Sequence, residues 1–360
     1  MAKKIKLVCS DLHLGLGRIL EDGRLNLLEE FYFDDKFAEF LHFYTTGEYA
    51  DAEVELILNG DIFNFLQTDY KGHFLTVITE SITIDQIERI VRGHPTFFNA
   101  LREFASVPRR QVTFVVGNHD QGLLWPAVRA YLNQVIQAEA RYRNLVYFFD
   151  GVHIEHGNMH EAANRMDPRK FFVKKDLPEP ILNLPFGSYF FVEFVLRLKQ
   201  MNPHVDKIRP FRAMVRWGLI FQTLFTIRSS FKLLSYFIRS LFQPDPRQRW
   251  TLKNLVKIFF ESAIFPDLSD SARRILKDER VHTVIFGHTH VYHYRQFSND
   301  KEYFNTGTWT EITSLDTASF GRITKLTYVL IDYSDSADRP RGRLKEWRGY
   351  HRIEDDVIVH

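Results

Sequence analysis

The 360-residue sequence has one cysteine, Cys9, which excludes an internal disulfide and fits a reducing compartment. Cys9 closes the apolar run Leu7-Val8-Cys9, so a packed strand residue is expected there rather than a nucleophile. No stretch of about 20 apolar residues is present, which excludes a membrane-spanning helix. The nearest approach, Trp217 to Ile227, is bounded by Arg216 and Arg228. The start, Met-Ala-Lys-Lys-Ile-Lys, is basic, but only Leu7-Val8-Cys9 separate it from Ser10 and Asp11, too little for a secretory core. A cytoplasmic protein is expected, though not one necessarily free of membranes. Internal repeats and low-complexity tracts are also lacking. The net charge of +2 conceals an imbalance: Arg197 to Lys257 holds thirteen Lys and Arg against Asp206 and Asp245, leaving the remainder mildly acidic.

What is present is a rhythm of short apolar, β-rich runs: Ile5–Cys9, Val54–Leu58, Val112–Val116, Leu145–Phe149, Val152–Glu155, Val281–Phe286, Tyr303–Asn305 and Leu326–Ile331. Several lack alternation and read as strands buried on both faces. Helical patterns over Leu25–Tyr44, Ile84–Ser106 and Trp125–Arg141 separate the early ones. This βαβ order predicts an α/β core, with the later strands forming a second sheet packed on the first. Residues 1–158 and 281–333 form that core. Residues 159–280 break the rhythm with a Pro- and Asp-rich loop followed by helical patterns crowded with Phe, Leu, Arg and Lys, and read as a helical insertion. Residues 334–360 read as a charged, surface-lying tail.

Five short polar motifs follow strand ends: Asp11-Leu12-His13, Gly60-Asp61, Gly117-Asn118-His119-Asp120, His156-Gly157 and Gly287-His288-Thr289-His290. In α/β sheets ligands bind beyond the carboxyl ends of strands, so the motifs are expected on one rim. Any one of them alone is weak. An Asp-x-His pair is almost uninformative, Gly-Asn favours a turn, and a His beside Gly is often a satisfied structural residue. Together they collect carboxylate, amide and imidazole donors without thiolate, a set suited first to Mn²⁺, with Fe, Zn²⁺ or Mg²⁺ as alternatives, rather than to a structural zinc. Two divalent ions against the charges of Asp11 and Asp61 leave a net of about +2, which would attract phosphate and acidify a bound water.

The five motifs resemble those of the calcineurin-like metallophosphoesterase superfamily. The resemblance covers residues 5–157 and 281–310 and implies two facing β-sheets flanked by helices. It implies a first metal held by Asp11, His13, Asp61 and His290, and a second held by Asp61, Asn118, His156 and His288. His119 would contact the phosphoryl oxygen or leaving group, oriented by Asp120, in a hydrolysis driven by metal-bound hydroxide. One position departs from the pattern: Asn64 stands where the family has a second Asp in its Gly-Asp motif. A changed support for the metals is expected there, with the ligands themselves intact.

The insertion bears on substrate. Arg228, Lys232 and Arg239 fall at helical spacing, among Phe225, Ile227, Phe231, Leu234, Tyr236, Phe237, Ile238, Leu241 and Phe242. A basic stripe beside a broad apolar surface is the pattern of a helix lying in a membrane interface, with Trp217 and Trp250 suited to the headgroup zone. A helical cap packed on the core is the plainer alternative. Nucleic acid is not the expected partner, because the aromatics sit among too many aliphatics for a stacking groove. Within the superfamily the chain is most similar to the UDP-2,3-diacylglucosamine hydrolases, in Gly60-Asp61-Ile62-Phe63, in His156-Gly157 and in the basic, hydrophobic insertion. It departs from them at Asn158, where they have Asp, and at His119, where they have Arg. The expectation is a Mn²⁺-type hydrolase of a lipid-linked phosphoester or pyrophosphate, peripheral on an anionic membrane surface. A soluble nuclease or nucleotide phosphodiesterase and a non-catalytic scaffold are the alternatives.

Overall fold

The computed structural model describes residues 3–203, 208–209, 211–245, 247–249, 268–298, 300–314, 321–333 and 339–349. Trp250 and most of the residues after 333 lie outside these.

Strands β1 (Lys4–Cys9), β2 (Glu53–Asn59), β3 (Arg110–Val115) and β4 (Arg141–Arg143) run parallel in the first sheet. A second sheet contains β5 (Val146–Phe149) and β6 (Val152–Glu155). Within the insertion, β7 (Phe172–Val173) pairs with β8 (Ile181–Leu182), while β9 (Ile208–Arg209) joins a small sheet with β13 (Ile312–Ser314) and β14 (Gly321–Ile323). β10 (Thr283–Phe286), β11 (His293–Gln296) and β12 (Glu302–Asn305) complete the second sheet in the order β11-β12-β10-β6-β5. β15 (Leu326–Asp332) and β16 (Arg341–Trp347) return to the first sheet, whose order is β16-β15-β1-β2-β3-β4.

Strand alternation sorts the two faces of the first sheet. Ile5, Leu7, Cys9, Val54, Leu56 and Leu58 pack against α1 (Asp34–Phe43), α2 (Glu80–Gly93), α3 (Pro95–Ser106) and α4 (Pro126–Ile136) in the larger core. Val8, Ile57, Val115, Val329 and Ile331 turn the other way and meet Val152, Ile154, Ile285 and Phe304 of the second sheet. A short helix, Ser269–Ile275, covers the far side of that sheet. The result is the expected pair of facing sheets between helical layers. Cys9 is fully buried in a strand, as read from its apolar neighbours.

Three expectations need correction. The helical pattern Leu25–Tyr44 is helix only from Asp34. The Glu29 carboxylate explains this by accepting the backbone N–H groups of Gly15, Gly17, Glu30 and Phe31, which fixes residues 15–31 as an irregular loop. The pattern Ile84–Ser106 is two helices, broken at His94 where Pro95 begins the second. The charged tail is partly structural, since Arg341–Trp347 pairs along the whole of β15 as an edge strand with one exposed face.

The insertion continues with α5 (Phe186–Phe190), a π-helical turn over Phe191–Val195, α6 (Leu196–Met201), α7 (Phe211–Phe221) and α8 (Thr223–Ser240). Among the described residues no helix is long and apolar enough to cross a membrane.

Candidate metal centre and catalytic histidine

The carboxyl ends of β1, β2, β3, β6 and β10 converge, and each delivers one of the five motifs to the same rim. Backbone hydrogen bonds lock the turns together: Asp11 N–H to the Gly60 carbonyl (3.0 Å), His13 N–H to that of Asp61 (2.9 Å) and Gly287 N–H to that of His156 (2.8 Å). Gly60 and Gly117 are required by close approach. A Cβ on Gly60, itself at φ +81°, would overlap the His156 ring, and one on Gly117 would overlap the Asp61 carboxylate.

Asp11 (φ 54°), His13 (55°), Asp61 (52°), His288 (71°) and His290 (61°) all occupy the left-handed region. Such backbone costs about 1–2 kcal/mol per non-glycine residue and persists where the surroundings over-determine it. Here it bends the chain at the ends of β1, β2 and β10, three of the five strands that carry the motifs.

Among the described residues, three groups bring one donor atom each within 4.8 Å of one another: Asp11–His13–His290, Asp61–His156–His288 and His13–Asp61–His119. Asp61 lies between the first two groups, its Oδ2 3.1 Å from His156 Nε2 and 3.9 Å from His13 Nε2. His290 Nε2 is 3.3 Å from Asp11 Oδ1 and 3.0 Å from His13 Nε2. Six of the expected ligands, Asp11, His13, Asp61, His156, His288 and His290, fall in these groups, and Asn118 follows the end of β3.

The donors fit divalent cations. Asn118 Oδ1 is buried without a hydrogen-bond partner, an arrangement that is costly unless something else occupies its lone pairs. His156 donates Nδ1–H to the Asn59 carbonyl (3.0 Å), which leaves Nε2 as the free ligand atom. Electrostatics agree. Burial opposes charge on His156, but Asp61 and Asp11 outweigh it and raise its pKa to about 10. Burial likewise opposes ionisation of Asp61, yet the charges of His156 and His119 hold its carboxyl well below the usual range. His13 is kept neutral, its pKa lowered to about 3 by burial and by His119 and His290. The two central carboxylates thus draw positive charge inward. A metal taking His156 Nε2 would release a proton.

His119 stands at the edge of this centre, and its orientation corrects an expectation. Its Nδ1 is bonded to Asn64 Oδ1 at 3.0 Å, not to Asp120. Asp120 is instead fully buried, accepting the Gly117 and Ile62 amides (2.6 and 2.9 Å) and so fixing the turn. Burial and the charge on Asp61 push the Asp120 carboxyl up to about 7. Asn64, noted in the sequence only as a departure, also donates to Glu30 Oε2 at 3.4 Å.

Several neighbours carry no motif. Ser10 donates to Asp11 and shares a hydrogen with Thr306, and Thr308 donates to the Asp11 carbonyl (2.6 Å). Glu30 Oε2 lies 3.8 Å from His13 Nδ1, while its other oxygen pairs with Lys199 of α6, a lysine 1% exposed. Phe191, in the π-helical turn, sets its ring edge-on to His119 with centroids 4.9 Å apart. The first half of the insertion therefore forms a wall of the centre.

The second half divides by face. Tyr236 and Phe237 of α8 pack on Phe186 and Phe190. Leu224, Ile227, Phe231, Leu234 and Ile238 recur at alternating intervals of three and four residues and are exposed, with Phe221 and Phe242 at the two ends. Arg228, Lys232 and Arg239 are exposed along one side of that stripe. The basic residues and the apolar surface are thus together, but the aromatic cluster read as one splits between an inner and an outer face.

A family model for calcineurin-like phosphoesterases matches residues 6–292. Solved structures of similar outline include a dimetal phosphatase from Danio rerio (11% identity, 95% of this chain and 98% of that one, TM-score 0.36). They also include a predicted phosphoesterase from Streptococcus pneumoniae (10%, 98% and 95%, TM-score 0.31) and Vacuolar Protein Sorting 29 from Cryptosporidium parvum (11%, 96% and 98%, TM-score 0.30). No curated protein sequence matches the chain.

Proposed function

The chain belongs to the calcineurin-like phosphoesterase family and is a metal-dependent phosphoester hydrolase; from that premise we propose that it cleaves a lipid-linked phosphoester or pyrophosphate at an anionic membrane surface. Asp11, His13, Asp61 and His290 would hold one divalent ion, and Asp61, Asn118, His156 and His288 the other, with Mn²⁺ favoured by the mixed imidazole and carboxylate donors. The pair would supply Lewis acidity toward phosphate oxygens and lower the pKa of a bound water.

The protein's own groups do the rest. His119, with Nδ1 engaged by Asn64, has Nε2 left to meet a phosphoryl or leaving-group oxygen. Phe191 lies against one side of the imidazole, its ring centroid 4.9 Å away.

The observation that carries the lipid reading is α8. Its inner face is continuous, through Phe190 and the π-helical turn, with the ring against His119, while its outer face is apolar and flanked by cations. Residues 211–240 contain five Lys and Arg and no acidic residue, which suits anionic headgroups better than a mixed-charge protein partner. Replacing Arg228, Lys232 and Arg239 together by Glu is expected to weaken sedimentation with phosphatidylglycerol vesicles by about 100-fold or more, at about 1 kcal/mol per basic residue lost near the surface. Unchanged sedimentation would return the insertion to a helical cap.

The substrate to try first is UDP-2,3-diacylglucosamine. Mn²⁺-loaded protein is expected to release UMP from it, and the Asp61→Ala variant is not. Absence of UMP, with the same sample cleaving bis-p-nitrophenyl phosphate, would keep the hydrolase and discard this substrate. Cleavage of nucleic acid or a soluble nucleotide diester without vesicle binding would favour the nuclease reading instead.

A further inference from the structure

The imidazoles of the centre differ in what holds them from behind. His156 is braced by a backbone carbonyl. His13 turns Nε2 toward Asp61, with its Nδ1 3.8 Å from Glu30, whose charge is met by Lys199. His288 has a carboxylate of its own: Nε2 lies 2.7 Å from Glu161 Oε2, with the two side chains 8% and 16% exposed.

We propose that Glu161 is the positioning residue of the second metal, accepting the Nε2–H of His288 so that Nδ1 is the nitrogen presented to the Asp61–His156 group. The proposal rests on the two-metal reading above. A neutral imidazole has one N–H and one bare nitrogen, and whichever nitrogen is tied up as donor decides which one can ligate. The backbone N–H of His288 donates to the Asp11 carboxylate (3.0 Å), so the residue is fixed at both ends.

Glu161 is itself held in place. It follows His156-Gly157 by four residues, beyond a single 3₁₀ turn over Asn158–His160. Its N–H donates to the Asn158 carbonyl (3.2 Å), and Asn158 Nδ2 donates to the Asn164 carbonyl (2.9 Å). Asn164 Nδ2 in turn donates to the same Glu161 oxygen at 2.5 Å. This closed ring of hydrogen bonds ties the carboxylate to the strand end that supplies His156. Nothing in the motif predicts it, because the pairing is made through space from a loop that the sequence leaves unmarked.

Charge gives the assignment a second consequence. Glu161 adds one negative charge behind one metal only, so the two ions are inequivalent: the second is bound more tightly and acts as the weaker Lewis acid.

The test is Mn²⁺ titration by calorimetry, with electron paramagnetic resonance of the coupled pair, on wild type, Glu161→Ala and Glu161→Gln. Wild type is expected to bind two ions. Glu161→Ala should weaken one of them by about 10–100-fold, leave the other unchanged and lose the coupled signal at limiting Mn²⁺. Glu161→Gln retains a neutral acceptor and should recover part of the loss. Two unaltered binding events in Glu161→Ala would overturn the proposal. Equal weakening of both ions, with reduced thermal stability of the metal-free variant, would also overturn it by making Glu161 a merely structural residue. Fewer than two ions in wild type would instead sink the two-metal reading, and the proposal with it, a failure visible before any variant is made.

Discussion

Alanine at position 61 is expected to lower Mn²⁺-dependent turnover of bis-p-nitrophenyl phosphate by at least about 10³-fold, with the fold intact. Asp61 belongs to two of the three donor groups, with His156 and His288 and with His13 and His119, and it also accepts the His119 N–H at 2.8 Å. On the proposed ligand set its loss would take a donor from both ions together with the anchor of the His119 turn, and groups that act as a unit fail together. Stability should respond far less. In the metal-free protein Asp11 and Asp61 are buried together, and the charge of Asp61 works against ionisation of Asp11. Removing one carboxylate relieves that repulsion while it deprives His156 of a partner. Metal analysis should therefore show a depleted centre in a protein whose metal-free unfolding midpoint lies within a few degrees of wild type. Substantial activity in Asp61→Ala would overturn the site assignment.

His119→Ala should reduce kcat by about 10²–10⁴-fold while both ions stay bound. His119 belongs to a third group with His13 and Asp61, so metal content is the discriminating measurement: loss of an ion would make His119 a ligand. The pH dependence tests its surroundings. Burial lowers the His119 pKa more than the charges of Asp61 and Glu30 restore it, so it titrates below the ordinary imidazole range. A group that must donate a proton loses that capacity as pH rises through its pKa, so kcat/KM should fall on the basic side from an early point. In Asn64→Asp a carboxylate would replace the amide 3.0 Å from Nδ1. An opposite charge that close raises an imidazole pKa by about 1–3 units, and the basic limb should move up correspondingly. A limb that stays in place would assign it to some other group.

Much of this was legible because strand ends announce themselves. Apolar runs that stop at Gly-Asp or Gly-Asn-His mark where a ligand can sit, and six of the expected ligand residues come together in the donor groups. The support behind them was not legible. Glu30, Glu161, Phe191 and Lys199 are single residues of ordinary type in loops or in the insertion, and each is defined by a contact across 30 or more positions. Glu29 shows the same limit in the fold. Its carboxylate overrides a helical pattern by satisfying four backbone amides, a choice made by burial and not by periodicity. Asn64 stands out in the sequence only by the Asp it replaces, whereas its role is set by a through-space contact with His119. The insertion's composition foretold a basic, apolar surface but not which aromatics turn inward.

The left-handed backbone at Asp11, His13, Asp61, His288 and His290 has a bearing on ancestry. Each position favours glycine on conformational grounds, and keeps Asp or His against a preference of about 1–2 kcal/mol. Such residues persist only under selection for what their side chains do. A duplicated copy of this chain relieved of catalysis should drift toward Gly or Asn at these five places first, and become more heat-resistant as it does so. Lineages with the same two sheets but glycine at the strand ends would then be recognisable as retired enzymes from sequence alone.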